Sequence, residues 1–258
     1  MLPVVKMAAT PEINVARQGE DWAQKAAELI LTVSEQAIQS NGRCLIALSG
    51  GSTPRTLYQT IRTPEWRVRF NWSRLVFLFG DERCVAPDHP DSNFGMAQRE
   101  LFQPLNLPHD HIHRMKGEYQ EPSVAAEEYE QTLREATQCG HQEIPRIDLV
   151  LLGLGDDGHT ASLFPGTAAL QERTKLVTVG QAPTGIRSRL TLTLGVLNRA
   201  AVVLFVVTGA GKAEMVHRVI ESDAEHSLPA SRVSPDHGRL MWILDQPAAQ
   251  QLTMKPSN

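Results

Sequence analysis

The sequence contains few cysteines. Among its 258 residues there are 3, and they are widely spaced and form no Cys-x-x-Cys pair. An odd number of scattered cysteines provides neither a disulfide framework nor a thiolate site for zinc. Because this usage is typical of a reducing compartment, we expect a cytoplasmic protein.

An excess of positive charge and long hydrophobic runs are also absent. The chain carries 25 Lys and Arg against 29 Asp and Glu, a formal net charge of −4, which offers no basic field to a nucleic acid. Its longest uncharged apolar stretch, residues 200–207, is far shorter than the ~20 residues of a membrane-spanning helix. The apolar run in residues 1–6 is too short for a signal peptide. We therefore expect no nucleic acid and no membrane as a partner.

The residues that are present are typical of a globular protein. Hydrophobic residues make up 41% of the chain and 18 glycines add to them, which lies within the usual globular range. A chain of this length buries roughly three quarters of its unfolded surface in one core. Since no repeat, low-complexity tract or linker divides it, we expect a single domain over residues 1–258.

Amphipathic segments and apolar runs alternate along the chain. Helical spacing of apolar residues predicts helices at 19–39, 54–61, 93–102, 124–137 and 212–220. Apolar runs predict strands at 43–48, 75–79, 147–152, 201–208 and 240–244, with a shorter one at 176–179, while 189–194 is of uncertain type. Strands that are apolar throughout indicate a sheet covered on both faces, and intervening helices indicate parallel crossovers. The predicted class is α/β, an open and mostly parallel sheet with helices on both faces in a Rossmann-like three-layer sandwich.

In such sheets ligands bind beyond the carboxyl ends of the strands, which directs attention to four loops. The first loop contains Ser49, Gly50, Gly51, Ser52 and Thr53. Glycines let the backbone approach a ligand, and free amides, hydroxyls and a helix start favour an anion such as phosphate. The alternative is a strand-to-helix turn with an ordinary Ser/Thr cap. It is not a Walker loop, since no Gly-Lys-Ser/Thr follows.

Charged residues follow two other predicted strands. Asp81 and Arg83 come directly after the strand at 75–79, where Asp can orient a sugar hydroxyl or act as a base. Arg83 can clamp phosphate or stabilise an oxyanion, whereas a solvated loop with internal ion pairs is the alternative. Lys212 ends a glycine-rich loop after the strand at 201–208 and suits phosphate, unless it is a solvated lysine of a first helical turn. Arg187 and Arg189 are further candidate cations.

The densest motif lies in residues 153–166, after the strand at 147–152. Its glycines match the dinucleotide pattern G-x-G-x-x-G, but we reject a dinucleotide site. Asp156 and Asp157 would repel a pyrophosphate, and the Pro-Gly pair at 165–166 leaves no room for the helix that should follow. What remains is Asp157 two residues before His159, an arrangement suited to acid/base catalysis in which a carboxylate orients an imidazole. A structural histidine is the alternative.

Two other features favour chemistry only weakly. His109, His111 and His113 alternate, so an extended segment would present all three on one side as metal ligands, although no fourth ligand is evident. Cys84 follows Arg83 and would need a depressed pKa to act as a nucleophile, but no histidine accompanies it. We expect no metal site.

Several of these segments, in order along nearly the whole chain, resemble the 6-phosphogluconolactonase family. They are residues 49–54, 80–83, 92–93, 155–166 and 189–193, of which the stretch Asp-Gly-His-Thr-Ala-Ser-Leu-Phe-Pro at 157–165 is the most specific. The resemblance implies a fold like that of sugar-phosphate isomerases and deaminases. It also implies hydrolysis of 6-phospho-D-glucono-1,5-lactone in the oxidative pentose phosphate pathway, with no cofactor. By this similarity His159 is the base, Asp81 and Arg83 line the site, and Lys212 lies on the phosphate side.

Two related functions remain as alternatives. Glucosamine-6-phosphate deaminases also carry an Asp-Gly-His loop, but they have a ring-opening Glu five residues after the histidine, where this chain has Phe164. A sugar-phosphate-sensing domain attached to a DNA-binding module is the other, yet only one predicted helix precedes the first predicted strand, too little for a helix-turn-helix. The length excludes a fused dehydrogenase domain.

Overall fold

The computed structural model of the chain describes residues 10–17, 21–222 and 228–254. The N-terminal segment 1–6 and positions 19 and 20 of the first predicted helix lie outside the described residues. Among the helices of the described segments, none has both the length and the apolar character needed to cross a membrane.

The described residues form a sheet of six parallel strands. These are β1 (Glu12–Val15), β2 (Cys44–Leu48), β3 (Leu75–Phe79), β5 (Leu149–Leu152), β8 (Val202–Val207) and β9 (Arg239–Leu244), in the order β1-β9-β8-β5-β2-β3. Every residue of β2, β5 and β8 is buried, which explains why these strands read as continuous apolar runs. The prediction of an α/β fold with a mostly parallel sheet is confirmed.

Helices cover this sheet. They are α1 (Trp22–Asn41), α2 (Ser52–Ile61), α3 (Pro64–Arg67), α4 (Asn93–Ala97), α5 (Gln103–Leu105), α6 (Pro122–Thr137), α7 (Ala168–Gln171), α8 (Leu194–Leu197), α9 (Ala213–Glu221) and α10 (Gln246–Ala249). A π-helical turn at Gln98–Phe102 joins α4 to α5, so the helix predicted at 93–102 continues further than expected. Helix α6 begins two residues before its predicted start, because Pro122 occupies its first turn.

A second, antiparallel sheet was not predicted. It consists of β4 (Asp81–Arg83), β6 (Val177–Gln181) and β7 (Ser188–Leu192), in the order β4-β7-β6. The chain passes from one sheet to the other at Gly80, whose amide donates to Leu48 O (2.9 Å) and whose carbonyl accepts from Leu192 N (2.9 Å). The segment predicted as a charged loop after β3 is therefore a strand, and the segment of uncertain type at 189–194 is mostly β7.

The strand order defines where a ligand can bind. After β2 the chain crosses over to β3 on one side, and it later returns through β5 and β8 to β9 on the other side of β2. The order therefore reverses between β2 and β5, and a crevice opens beyond their carboxyl ends. The loops after these two strands are the glycine-rich loop that begins at Ser49 and the loop that carries His159, both of which were predicted from the sequence.

Candidate active site

A cavity of about 300 Å³ lies in this crevice. It is lined by Ser49, Gly50, Gly51, Asp81, Arg83, Asn93, Gly153, Leu154, Gly155, Asp156, His159, Thr160, Ala161, Arg189 and Lys212. All four loops predicted to form a site contribute to it. Segments that are far apart in the sequence thus meet at one end of the sheet, as the parallel-strand argument predicts.

Two further cavities adjoin the first and share lining residues with it. One of about 350 Å³ is lined by residues that include Arg83, His159, Arg189, Phe164 and Pro183. A second, of about 230 Å³, is lined by residues that include Ser52, Arg83 and Asn93. The cleft is therefore longer than the central cavity alone, and Arg83 borders all three of its parts.

The side chains of His159 and Asp157 are in direct contact. Nδ1 of His159 lies 2.5 Å from Oδ1 of Asp157, and the His159 amide donates to the same oxygen at 3.1 Å. Burial opposes ionisation of Asp157, but these two hydrogen bonds outweigh burial and lower the pKa of that carboxyl below its ordinary value. An ionised carboxylate only accepts, so the proton of the neutral imidazole is on Nδ1 and Nε2 has a free lone pair.

The loop that carries His159 is closed by its own backbone. The amide of Gly155 donates to His159 O (2.8 Å), and Thr160 Oγ1 donates to Gly153 O (2.9 Å). Gly158 adopts a φ of 80°, a left-handed conformation that favours glycine. The turn between Gly155 and His159 is thus fixed before any ligand binds.

Asp81 is a buried carboxylate whose two oxygens are both engaged. Oδ2 accepts from Ser162 Oγ at 2.7 Å, and Oδ1 accepts from Asn93 Nδ2 at 3.2 Å. Ser162 belongs to the His159 loop and Asn93 begins α4, so Asp81 connects the ends of β3 and β5 to that helix. A carboxylate held by two donors is less available as a base than the free Nε2 of His159.

Glu82 is a second buried acid, which points away from the cavity. It accepts from the amides of Asn93 (2.7 Å) and Phe94 (2.8 Å) and from Ser92 Oγ (3.0 Å), which are the first groups of α4. Burial raises the pKa of Glu82, although these hydrogen bonds act in the opposite direction. Its contacts fix the start of α4 and thereby the position of Asn93.

Two arginines lie side by side on neighbouring strands of the second sheet. Arg83 of β4 pairs in register with Arg189 of β7. Arg83 donates through Nη1 to Asp91 O, and Arg189 donates through Nε to Ile186 O at 2.6 Å. Burial, and then the charge of Arg83, lower the pKa of Arg189. Two neighbouring cations in a cleft disfavour each other, and an anion bound beside them relieves that repulsion.

Lys212 supplies a third cation from the loop after β8. Its Nζ is hydrogen-bonded to Oδ1 of Asp156, whose side chain is 89% exposed. An ion pair with so exposed a partner is worth little in water, so a phosphate can displace the carboxylate at small cost. The backbone supports this position, because the Lys212 amide donates to Gly209 O (3.0 Å).

The glycine-rich loop after β2 approaches the cavity through its backbone. A Cβ added to Gly50 would lie 1.8 Å from Oδ1 of Asn93, and Gly51 has a φ of 106°. Helix α2 then begins at Ser52 without a side-chain hydrogen bond to its first amides. These amides are the groups that an anion at a helix start would accept from.

Not every residue predicted for the site lines the central cavity. Thr53 instead contacts Thr208, with their Oγ1 atoms 2.9 Å apart, and so ties the first loop to the fourth. Ser52 lines the neighbouring 230 Å³ cavity, and Asp157 lines the 350 Å³ cavity and contacts His159. The structure also brings Asn93 and Ser162 to the site. Both lie in segments that resemble the family, but their contacts with Asp81 could not be predicted because they depend on the fold.

The weaker candidates lie elsewhere. Residues His109–His111 form a single 3₁₀ turn rather than an extended segment. Within the part of the chain that the structure describes, no three potential ligands cluster as a metal site. Burial raises the pKa of the Cys84 thiol to about 11, which argues against a thiolate nucleophile.

Comparison with known proteins agrees with this architecture. The family model for glucosamine-6-phosphate isomerases/6-phosphogluconolactonase matches residues 17–242. A protein of a Nostoc species named 6-phosphogluconolactonase is 41% identical over 230 residues, which cover 89% of this chain and 93% of the relative. A human protein of the same name is 39% identical over 217 residues, with 83% of each chain covered. The solved structure of 6-phosphogluconolactonase from Trypanosoma cruzi superposes with a TM-score of 0.85 at 29% identity and covers 97% of this chain and 100% of that one.

The fold and the cleft define an α/β protein whose candidate active site lies at the carboxyl end of a parallel sheet. The matched length and these identities place it more narrowly. The chain belongs to the glucosamine-6-phosphate isomerase/6-phosphogluconolactonase family.

Proposed function

We propose that the chain hydrolyses 6-phospho-D-glucono-1,5-lactone to 6-phosphogluconate, a step of the oxidative pentose phosphate pathway. The observation that carries this proposal is the contact of Asp157 with Nδ1 of His159 beside a cavity that three cationic side chains border. Hydrolysis of a phosphorylated lactone needs a base, charge relief for an oxyanion and an anchor for phosphate. The names of the relatives support the same substrate.

His159 acts as the general base in this proposal. Its Nε2 takes a proton from water while the water oxygen bonds to the lactone carbonyl carbon. A neutral imidazole whose proton is on Nδ1 can accept a proton at Nε2. Asp157 holds the ring in the required tautomer and stabilises the imidazolium that forms, since its carboxylate accepts from Nδ1.

The tetrahedral intermediate then collapses. The bond between the former carbonyl carbon and the ring oxygen breaks, and the proton on Nε2 passes to that departing oxygen. The negative charge of the intermediate is relieved by Arg83 or by backbone amides of the glycine-rich loops, which border the same cavity. No cofactor or metal enters these steps.

The cations bind the phosphate of the substrate. One anion-binding subsite is formed by Lys212, by either Arg83 or Arg189, and by the first loop, which contains Ser49, Gly50, Gly51, Ser52 and Thr53. The exposed partner of Lys212 and the mutual repulsion of the two arginines both favour an added anion. Asp81 holds the His159 loop and the start of α4 together beside this site, and its carboxylate faces the sugar of the substrate. Asp157 orients His159.

We also propose that the reaction takes place in the cytoplasm and that the partner is a small molecule. Cys44, Cys84 and Cys139 are all free thiols, which suits a reducing compartment such as the cytoplasm. A formal net charge of −4 offers no basic field to a nucleic acid, so the proposed partner is a small molecule.

Acid release from freshly generated 6-phosphogluconolactone tests the activity. The purified chain is added to the lactone in weak buffer, proton release is followed at constant pH, and spontaneous hydrolysis is subtracted. The proposal predicts a saturable rate proportional to enzyme concentration. A rate that equals spontaneous hydrolysis at every enzyme concentration would contradict it.

A further inference from the structure

The imidazole of His159 lies in a narrow slot formed by two residues of its own loop. Gly155 is so close beneath the ring that a Cβ added to it would lie 2.0 Å from Nδ1 and 2.2 Å from Cε1. The phenyl ring of Phe164 also contacts the imidazole, with ring centroids 4.4 Å apart and planes inclined by 37°. The ring of His159 therefore has little room to rotate.

Both walls of the slot are held in place independently of the His159 side chain. Gly155 is part of the closed turn in which Gly158 N donates to Gly155 O at 3.1 Å. Phe164 is 6% exposed, and its carbonyl accepts from Thr167 Oγ1 at 2.8 Å. The slot is thus a fixed feature of the loop after β5.

The hydrogen bond to Asp157 does not by itself fix the imidazole. The side chains of His159 and Asp157 are 31% and 41% exposed, so water competes for the same atoms. The contact of the imidazole with the apolar ring of Phe164 is not subject to that competition. The carboxylate of Asp157 selects the tautomer of the imidazole, and the slot restricts the direction in which Nε2 points.

We propose that Gly155 and Phe164 are positioning residues for His159, which keep Nε2 directed at the reacting water. This inference rests on the proposed lactone hydrolysis. A misplacement of about 1 Å costs on the order of 10²-fold in rate when reacting groups must be aligned. Because the slot orients the base and does not contact phosphate, its loss lowers kcat and leaves KM nearly unchanged.

The Phe164 wall is tested with a matched pair of leucine variants. Phe164→Leu keeps an apolar side chain but removes the flat ring, and Phe70→Leu makes the same change at a phenylalanine that is also 6% exposed but packs against Trp66 and Trp72 outside the cleft. We expect Phe164→Leu to lower kcat between about tenfold and 10²-fold with KM within about twofold. Phe164→Tyr restores kcat because it restores the ring, and Phe70→Leu retains it.

The Gly155 wall is tested with Gly155→Ala against Gly195→Ala. The first variant places a methyl group against the imidazole, whereas a Cβ at Gly195 of α8 meets only Thr193 Oγ1 at an ordinary 3.7 Å. We expect about 10²-fold loss of kcat for Gly155→Ala and none for Gly195→Ala. Equal kcat losses in each pair, or none in Phe164→Leu, would overturn the inference.

A spectroscopic measurement separates the slot from the activity. The imidazole Hε1 resonance of His159, assigned by its absence in His159→Asn, is displaced by the ring current of Phe164 at this separation. We expect it to shift in Phe164→Leu and to stay in Phe164→Tyr and Phe70→Leu. If the wild type fails to hydrolyse the lactone, the proposed function is wrong, and this resonance still decides the slot. An unchanged resonance in Phe164→Leu contradicts it.

Discussion

At the residue scale, the exposed ion pair of Lys212 and Asp156 determines how much Lys212 contributes to binding. Because Asp156 is largely solvated, the lysine is available to a phosphate at little cost. A charge-assisted hydrogen bond contributes ~1.5–3 kcal/mol. This range corresponds to roughly 10- to 150-fold in affinity.

Lys212→Ala should therefore raise KM for the phosphorylated lactone by about 10- to 100-fold, with kcat nearly unchanged. The reason is that a phosphate contact remote from the carbonyl acts equally on ground and transition states. Steady-state acid release measures both constants, with Lys175→Ala, at an exposed lysine that does not line the central cavity, as a surface control. A lowered kcat at unchanged KM would assign Lys212 to the reaction centre instead of the phosphate.

The residues that the sequence identified and those that it missed differ in a physical way. His159, Arg83 and Lys212 could be selected because their chemistry and their place at strand ends are both legible in the sequence. Asn93 and Ser162 lie in segments that resemble the family, but their role could not be predicted, since it consists of two hydrogen bonds to the buried Asp81 from distant segments. A role that arises from packing leaves no local signal in the sequence.

At the scale of elements, Asp245 joins the end of β9 to the Lys212 loop. Its carboxylate accepts from Gly209 N at 3.0 and 2.9 Å and also caps α10 through Ala248 N at 2.8 Å. Asp21 makes the corresponding cap on α1, accepting from Ala23 N at 2.8 Å, far from the cleft. The two caps are alike locally and differ in what lies beside them.

Asp245→Ala and Asp21→Ala should each lower the free energy of unfolding by ~0.5–2 kcal/mol, the usual cost of losing such a cap. Only Asp245→Ala should also raise KM, because it releases the Gly209 turn that holds Lys212. Thermal unfolding and steady-state kinetics measure the two effects. Equal KM values in the two variants would show that the turn keeps its position without Asp245.

The elements themselves were predictable where burial is simple. The strands β2, β3, β5, β8 and β9 are apolar runs, and the prediction of all five is confirmed within two residues at each end. By contrast, β4 consists of the charged residues Asp81, Glu82 and Arg83, which do not form an apolar run. It is a strand because it pairs with β7. The short edge strand β1 has one buried residue in four and gave no recognisable pattern.

At the scale of the whole molecule, the four loops work as one site only because the parallel sheet brings their ends together. That relation was predictable from the sequence, since it follows from strand direction alone. The second sheet, which brings Arg189 opposite Arg83, was not predictable, because the sequence predicts only a short strand at 176–179 and leaves 189–194 of uncertain type. The single domain over residues 1–258 stays a prediction.

The distribution of cations over the cleft predicts strong selectivity for a phosphorylated substrate. Unphosphorylated gluconolactone should have a kcat/KM lower by on the order of 10²-fold or more, because it forgoes the charge-assisted bonds that hold and orient the lactone. Parallel acid-release assays on the two lactones measure this ratio. Equal kcat/KM values would contradict the assignment of the cations to phosphate.

The same preparation should release no ammonia from glucosamine-6-phosphate. A glucosamine-6-phosphate deaminase needs a ring-opening carboxylate. This chain has Phe164 at that position, and a phenyl ring has no proton to transfer. A coupled ammonia assay with the phosphorylated lactone as positive control measures this selectivity. Ammonia release at a rate comparable with lactone hydrolysis would mean that another group opens the ring.

The kcat of His159→Asn decides whether Nε2 of His159 activates water. The variant removes the base while keeping a polar side chain, so we expect normal folding, retained binding of 6-phosphogluconate and a loss of kcat of about 10²–10⁴-fold. The measurement is acid release from the phosphorylated lactone between pH 6 and 8, corrected for spontaneous hydrolysis. A folded variant with near-wild-type kcat over that range would contradict the account and make Asp81 the next candidate for the base.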